Sequence, residues 1–423
     1  MKNVEVILPA VFITFCSSFL MKNKFKKWFN YVNIINFMWL VGIITTYQGF
    51  YEIYRPQNRT YTIIIIFLLC FNIVSYLAVK KTEQRTLHSH FIIHNIESQN
   101  KIETILLIGV ILLMIPEFLS SVRVIMSGGY NTVRENVLTS FTFIQWLLYH
   151  FGNPLIIALT IIAIVDVVFF GKNKFNLLLS FVAVLIDITI FASRGLLTQV
   201  LLVLIVCLLL KYHFKLKEVV RKHKVIVISI IIAICLLFFI TSQRKMSGGN
   251  STIMENLYYY FWGSFSCMDN HLDNINAYIA VNGHTYYLMF ISGIVGVFSD
   301  ILSFFGFKIQ TGIQIINPIV QEYVAVSPNI RMNNNVTMLT AFYFDAGWAG
   351  IVFYSLIVTF ILAWLYNKMI KLKCADYVAY FAFTFAWFFF GITEWTPARA
   401  TTIWVYIFMF IIYKIRIIKI TYR

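Results

Sequence analysis

Two short stretches of the sequence carry side chains suited to proton transfer. The first reads MDNHLDN (268–274), in which Asp269 and Asp273 flank His271. A neighbouring carboxylate can orient an imidazole and raise its basicity. In the second, Glu394 and Arg399 stand on either side of a Trp-Thr-Pro triplet. His271, Asp269 and Glu394 are therefore candidate catalytic groups. The simpler alternatives are a solvated loop histidine and a surface ion pair.

Arginines form a second candidate set. Arg194 lies in a Ser-Arg-Gly triplet between two apolar runs, where a charge beside the membrane is costly and usually functional. Asp187 precedes it by two helical turns, so a structural Asp187–Arg194 pair is the alternative. A guanidinium binds phosphate with two parallel hydrogen bonds and keeps its charge in an apolar setting. We expect an anionic ligand to be bound by a set of arginines: Arg134, Arg194, Arg244, Arg331 and Arg399.

The elements that hold these residues must be membrane-spanning helices. Of the 423 residues 60% are hydrophobic and 12% are charged, against about 25% charged in a typical soluble domain. Such a chain cannot cover its surface with polar groups, which excludes a water-soluble enzyme. The 34 basic and 18 acidic residues give a net charge of +16. In so apolar a chain this excess indicates cytoplasmic loops and not a nucleic-acid partner.

Eleven apolar runs are long enough to suggest membrane spans, which need about 20 residues. They are 4–21, 28–50, 61–79, 102–125, 152–170, 176–192, 196–211, 225–241, 341–366, 377–392 and 401–413. Four lysines at 22–27 follow the first run and place that point in the cytoplasm. The sequence thus predicts an all-α polytopic protein with its N-terminus outside and its C-terminus in the cytoplasm.

The two basic residue types separate across this topology. On the cytoplasmic side lie 19 of the 22 lysines, whereas 8 of the 12 arginines lie outside. Lysines alone satisfy the orientation rule, so the outside arginines need another explanation. Local pairing with outside carboxylates is one alternative for each arginine. For the whole set, an anionic ligand is the better explanation.

A long outside loop at 242–340 separates the eighth run from the ninth. Within it, residues 286–306 are apolar enough to span the membrane. An additional crossing there would move the lysines at 368–373 and the basic tail to the outside, against the orientation rule. We therefore expect this segment to be re-entrant or interfacial, and a true span with inverted C-terminal topology is the alternative.

A Gly-rich pattern occurs twice, as MSGGYNTVRENV (126–137) and MSGGNSTIMENL (246–257). Each copy contains Thr-x-x-Glu, the capping-box pattern that begins a helix. The N–H groups at such a helix start can bind anions. Two ordinary helix starts after flexible turns are the alternative.

Sequence motifs for nucleotide, zinc-protease or serine-hydrolase chemistry do not occur in this chain. No long cytoplasmic segment is predicted that could bind ATP or a nucleotide sugar. We expect no metal and no cofactor, and energy supplied by a gradient or by an activated lipid-linked substrate.

Three stretches resemble a known family, the Wzy-type O-antigen or oligosaccharide repeat-unit polymerases. They are FASRG (191–195), YFWGSFSCMDNHL (260–272) and the segment from NVT (335–337) to YFDAGWAG (343–350). The topology, with a mid-chain Ser-Arg-Gly and a large outside loop, extends the resemblance over most of the chain.

The resemblance implies a GT-C-like membrane glycosyltransferase of lipopolysaccharide or capsule biosynthesis. Such an enzyme joins undecaprenyl-pyrophosphate-linked oligosaccharides on the outer face of the bacterial inner membrane, and a chain-length regulator protein is a possible partner. By analogy with the related O-antigen ligases, Arg194 and Arg244 would hold the pyrophosphate, and His271 or Asp269 would deprotonate the acceptor. A lipid-linked oligosaccharide flippase or another transporter and an O-antigen ligase are the alternative functions.

Overall fold

The computed structural model describes residues 7–80, 100–129, 132–133, 142–193, 195–212, 220–221, 224, 228, 231–232, 253–333 and 335–421. In chain order the helices are α1 (Ile7–Phe25), α2 (Tyr31–Gln48), α3 (Asn58–Ala78), α4 (Asn100–Gly128), α5 (Phe143–Leu147), α6 (Asn153–Val165), α7 (Lys174–Phe191), α8 (Gly195–Lys211), α9 (Ile253–Asn282), α10 (Ser292–Ser303), α11 (Gly312–Val320), α12 (Met338–Leu372), α13 (Ala375–Phe390) and α14 (Ala400–Thr421). Within these ranges the sheet is a single antiparallel hairpin of β1 (Val324–Ala325) and β2 (Arg331–Met332).

The chain is an all-α protein with the apolar helices of a membrane protein. Five of the described helical segments are long and apolar enough to cross one: Asn58–Ala78, Lys101–Ser127, Phe143–Phe170, Lys174–Phe191 and Met338–Leu372. Every predicted apolar run except 225–241 coincides with a described helix. Run 225–241 lies almost entirely outside the described residues, and eleven crossings remain a prediction.

The chain divides into two compact units. Unit one comprises the described residues of 1–89, 245–371 and 387–399, and unit two those of 90–244, 372–386 and 400–423. In unit one, α1, α2 and α3 pack on one another, and α9 packs on α2 and α3. Trp39 of α2 stacks on Phe265 of α9 with ring centroids 5.5 Å apart.

A polar cluster joins the first three helices of unit one. Ser17 of α1, Asn36 of α2 and Asn72 of α3 are all buried. Asn36 Nδ2 donates to Asn72 Oδ1 at 2.7 Å, and Asn72 Nδ2 donates to Asn36 Oδ1 at 3.0 Å. Ser17 Oγ also donates to Asn72 Oδ1. Because apolar helix surfaces gain little by leaving lipid for each other, these bonds help to fix which faces meet.

Unit two is built around α6. Every residue of this helix from Ile156 to Val165 is buried, and α7, α8 and α14 pack against it. A π-helical turn lies at each end, at Leu148–Gly152 and Asp166–Phe170. A helix that is apolar on all sides belongs in the core of a bundle.

The predicted outside loop contains ordered helices. Here the described part of α9 runs from Ile253 to Asn282. Thr252 of the second Thr-x-x-Glu pattern and Glu135 of the first lie outside the described residues, so both predicted helix starts stay predictions. In the segment 286–306, α10 follows a turn and spans only 12 residues. At 1.5 Å per residue it is about 18 Å long, shorter than a hydrocarbon core of about 30 Å.

The two faces of α10 are reversed relative to a helix on a soluble protein. Its buried face carries Ser292, Gly293, Gly296 and Asp300, together with Val297. The exposed face carries large apolar side chains: Ile294, Phe298 and Ile301, continued by Phe304, Phe305 and Phe307. Such an outward apolar face indicates an apolar environment around the helix.

Candidate functional site

Five of the eight predicted site residues lie in the described part of the chain, and all five belong to unit one. The other three, Arg134, Arg194 and Arg244, lie outside the described residues. The five described residues do not form one cluster. Glu394 and Arg399 line a common pocket. Asp269 and His271 lie on α9, and Arg331 lies on the β-hairpin.

Asp269 is held by the start of α3. Thr60 Oγ1 donates to its Oδ1 at 2.5 Å, and Arg59 Nε lies 3.7 Å from the same oxygen. Arg59 also donates to Asp273 Oδ1 at 2.6 Å, and this bond lowers the pKa of Asp273 below its ordinary value. Asp269 therefore joins α9 to α3 through its Oδ1 atom, which contacts both Thr60 and Arg59.

His271 is placed differently from the solvated loop histidine that the sequence also allows. It lies in the middle of α9 with 0% of its surface exposed. Among the described residues, neither ring nitrogen has a hydrogen-bond partner. Burial lowers the pKa of His271 below its ordinary value, and the charge of Glu322 opposes this only in part. The side chain is therefore a neutral buried imidazole, and Asp269 and Asp273 bind Arg59 instead of orienting it.

Arg331 is exposed on β2, where its Cα pairs with that of Ala325 across the hairpin. It does not line the pocket described below. Its position gives no support for a shared anion site with Arg399.

Glu394 and Arg399 come together because the chain between them makes a tight turn. The backbone N–H of Glu394 donates to Phe390 O at 3.0 Å, which continues the end of α13. A 3₁₀ turn follows at Thr396–Ala398, with Pro397 at its start, where a fixed φ favours helical geometry. Arg399 Nη2 then donates to Glu394 Oε2. The two charges thus form an ion pair across the turn.

This ion pair lies on the wall of a small pocket open to solvent, with a cavity volume of about 50 Å³. The polar lining also includes Asn317 of α11 and Thr337, which precedes α12. The remaining lining residues are apolar: Met289, Ile313, Ile316, Val320, Val336, Ala341 and Trp395. A mostly apolar pocket with a few convergent polar groups is the usual form of a small-molecule site.

Aromatic packing and a hydrogen bond fix the position of Trp395 in the pocket lining. Its ring stacks on Phe290 with centroids 5.5 Å apart and planes 18° apart. Phe290 in turn stacks on Tyr354 at 4.5 Å. The indole N–H donates to Phe290 O at 3.3 Å. The three rings form a continuous stack that holds one indole edge at the pocket.

Asp345 organises the adjacent chain segment. It accepts hydrogen bonds from Thr285 Oγ1 at 2.6 Å, from Met289 N at 2.9 Å and from Phe290 N at 2.7 Å. Because Met289 lines the pocket and Phe290 supports Trp395, this buried carboxylate positions two parts of the site. The sequence motif YFDAGWAG contains Asp345, but its partners lie more than 50 residues away and could not be read from the motif.

Two glycines make this geometry possible. Gly347 has φ +57° at the break inside α12, a conformation that other residues adopt only with strain. A Cβ on Gly312 would lie 2.5 Å from Leu288 O, so only glycine lets α11 approach the segment that Asp345 holds.

Local pairing occurs at several of the arginines predicted to lie outside. Arg59 pairs with Asp273, Arg399 pairs with Glu394, and the guanidinium carbon of Arg55 lies 3.4 Å from the centroid of the Tyr47 ring. Pairing with a carboxylate, the alternative explanation, therefore applies at Arg59 and Arg399. Of these three, Arg399 alone lines the pocket.

In unit two, Asp187 of α7 is buried next to the start of α6. Asn153 Nδ2 donates to its Oδ2 at 3.3 Å, while Oδ1 is buried without a partner among the described residues. The predicted Asp187–Arg194 pair is not described, since Arg194 lies outside the described ranges. Within those ranges no group of three or more His, Cys, Asp or Glu side chains is arranged to hold a metal ion.

The candidate site is thus the pocket of unit one, with a carboxylate, a guanidinium, an amide and an indole at its surface. Sequence reasoning identified Glu394 and Arg399 but missed Trp395 and Asn317. No protein family model, curated protein sequence or solved structure matches this chain.

Proposed function

We propose that this chain is a membrane glycosyltransferase that joins undecaprenyl-pyrophosphate-linked oligosaccharide units into a polysaccharide, as a Wzy-type polymerase does. In this proposal it lies in the bacterial inner membrane, with its N-terminus and the pocket on the outer side and its C-terminus in the cytoplasm. The observation that carries the proposal is the pocket that places Glu394, Arg399 and Trp395 together beside apolar helices.

The pocket offers groups for each part of this reaction. The acceptor hydroxyl oxygen forms a bond with the anomeric carbon of the donor sugar. The bond from that carbon to the pyrophosphate oxygen breaks, and the electron pair leaves with the lipid pyrophosphate. Glu394 takes the hydroxyl proton, and Arg399 offsets the charge that develops on the leaving group. Trp395 supplies an apolar edge against which a sugar ring can pack.

Glu394 is the best-placed base among the three candidates. His271 is fully buried on α9, the Asp269 side chain is only 12% exposed, and neither residue lines the pocket. Glu394 has a side chain that is 33% exposed and lines the pocket. We therefore assign proton transfer to Glu394, and a structural role to Asp269.

The test is the envelope polysaccharide of a strain that lacks the chain, complemented with wild type, Glu394→Gln or Arg399→Gln. We expect wild type to restore a ladder of polymer lengths, and each variant to leave single-unit product, with the protein still present in the membrane. Loss of a positioned acid–base or charge-stabilising group costs about 10²- to 10³-fold in rate.

The other functions give different patterns in the same strain. Absence of every unit outside the cell would indicate a flippase, and polymer retained on its lipid carrier would indicate a ligase. Wild-type ladders from both variants would contradict the assignment of the pocket as the active site. Asp273→Asn is the matched control, because it removes a carboxylate paired with arginine elsewhere in unit one.

A further inference from the structure

The roles proposed for Arg399 and Glu394 conflict with the ion pair that the two residues form. Arg399 is to bind a pyrophosphate, yet its guanidinium already binds Glu394. Glu394 is to accept a proton, yet one of its oxygens already accepts from Arg399. While the two are paired, neither side chain is in its reactive state.

We infer that the pair opens by exchange: an anionic phosphate group takes the place of Glu394 on Arg399, and its binding releases Glu394 as the base. This inference rests on the proposed function and adds to it how the site is switched on. An arginine can bind a phosphate through two parallel hydrogen bonds, so the exchange replaces one charged partner with another of matching geometry.

The geometry of the turn allows the exchange. Glu394 and Arg399 lie on opposite sides of the 3₁₀ turn Thr396–Ala398, so the two side chains separate by rotation without movement of a helix. Their side chains are 33% and 46% exposed, so solvent reaches both groups. A pair of this exposure is weak, and a phosphate can compete with it.

The exchange ties the release of the base to the binding of the donor. Without an anion, Glu394 stays paired with Arg399. Once an anion has taken its place on Arg399, the carboxylate is free to accept a proton.

The anion could be the headgroup of a lipid or a free phosphate. The residues that line the pocket help to distinguish these two sources. Ile313, Ile316 and Val320 of α11 form an apolar wall of the same pocket that the ion pair lines. This wall suits the first isoprene units of a polyprenyl pyrophosphate. Comparison of farnesyl pyrophosphate with inorganic pyrophosphate distinguishes the two sources.

The exchange is tested by calorimetric titration of the full-length purified chain in lipid nanodiscs, with farnesyl pyrophosphate, sodium pyrophosphate and uncharged farnesol as probes. Glu394→Gln removes the internal competitor, so we expect it to tighten binding of both anions by up to about fivefold, the factor that matches 1 kcal/mol. Arg399→Gln should weaken both by tenfold or more.

Two further variants serve as controls. Arg399→Lys keeps the charge, so it should bind both anions more tightly than Arg399→Gln if charge, and not misfolding, causes the loss. Asp273→Asn should leave both affinities unchanged, since its arginine partner lies outside the pocket lining. Farnesol should bind the Glu394 and Arg399 variants equally.

Unchanged or weaker anion binding by Glu394→Gln would overturn the exchange, as would wild-type affinity in Arg399→Gln. Tighter binding of farnesyl pyrophosphate than of inorganic pyrophosphate assigns the site to a lipid headgroup, and equal binding assigns it to a free anion. Because no sugar transfer is measured, the outcome is separate from the ladder test. Exchange without any polymer would contradict the proposed function alone.

Discussion

His271 combines complete burial with two ring nitrogens that have no hydrogen-bond partner among the described residues. A neutral imidazole tolerates this position, but a protonated one would be a buried charge without a partner. The lowered pKa of His271 follows directly from that difference. The residue thus links the stability of unit one to pH.

We predict that the chain loses stability in acid through His271. Above the ordinary histidine pKa of about 6.5, folded and unfolded chains both carry a neutral imidazole, so it has no effect. As the pH falls below that value, the unfolded chain binds a proton that the folded chain does not. Each further unit of pH then costs up to about 1.4 kcal/mol. The measurement is the thermal midpoint in detergent at pH 7.5 and 5.5.

His271→Leu should reduce the fall in the midpoint between those two pH values, since it removes the proton acceptor. His284→Gln is the control and should retain the full fall, because His271 is still present. An equal fall in the wild type and His271→Leu would assign the acid sensitivity to other groups.

The ion pairs show which partners could be predicted from sequence and which could not. Glu394 and Arg399 are five residues apart in a short loop, so pairing was a natural alternative. Arg59 and Asp273 are 214 positions apart. Their pairing depends on how α9 packs against α3, which no local pattern specifies. For the same reason, the spacing of Asp269, His271 and Asp273 suggested a common site that the packing separates.

At the scale of helices, α1, α2 and α3 depend on their polar cluster. Asn72 accepts from the Ser17 hydroxyl and donates to Asn36 Oδ1, so its loss leaves a buried donor and a buried acceptor without these partners. We predict that Asn72→Leu destabilises the fold by about 1–3 kcal/mol, seen as a thermal midpoint several degrees lower. Ile73→Ala, at an exposed neighbour on α3, should change stability by less than about 0.5 kcal/mol. A midpoint equal to wild type in Asn72→Leu would show that the cluster is dispensable.

The exposed face of α10 leads to a prediction about lipid contact. Phe298 is 58% exposed and lies at the centre of that face. With the six native cysteines replaced by alanine, a fluorescent label on Phe298→Cys should be quenched by spin-labelled lipid and protected from iodide. A label on Gln321→Cys, an exposed polar position, should show the opposite behaviour.

The same two labels separate an interfacial helix from a full crossing. If segment 286–306 returns to the side on which it entered, Gln321→Cys should react with a membrane-impermeant maleimide added outside intact spheroplasts. Reaction only after lysis would instead support the crossing with inverted C-terminal topology. Iodide quenching of the Phe298 label would contradict lipid contact.

For the whole molecule, the length of apolar runs was the reliable signal. Runs such as 61–79 and 341–366 coincide with α3 and α12, because a helix satisfies its own backbone hydrogen bonds in an apolar environment. The structure of segment 253–333 was harder to predict, because its helices α9, α10 and α11 mix polar and apolar residues. The positions of these helices also depend on long-range contacts such as those of Asp345. The pocket is formed by these contacts, which explains why Trp395 and Asn317 were missed.

The reversed faces of α10 have a practical consequence for handling the protein. Residues 253–333, the described part of the predicted outside loop, have the length and the polar content of a domain that could be excised and studied in water. Because Phe298, Phe305 and Phe307 are exposed, such a fragment would present an apolar aromatic surface to water and self-associate. Crystals, antibodies and binding partners of this region are therefore best sought with the full chain in a detergent micelle or a lipid disc.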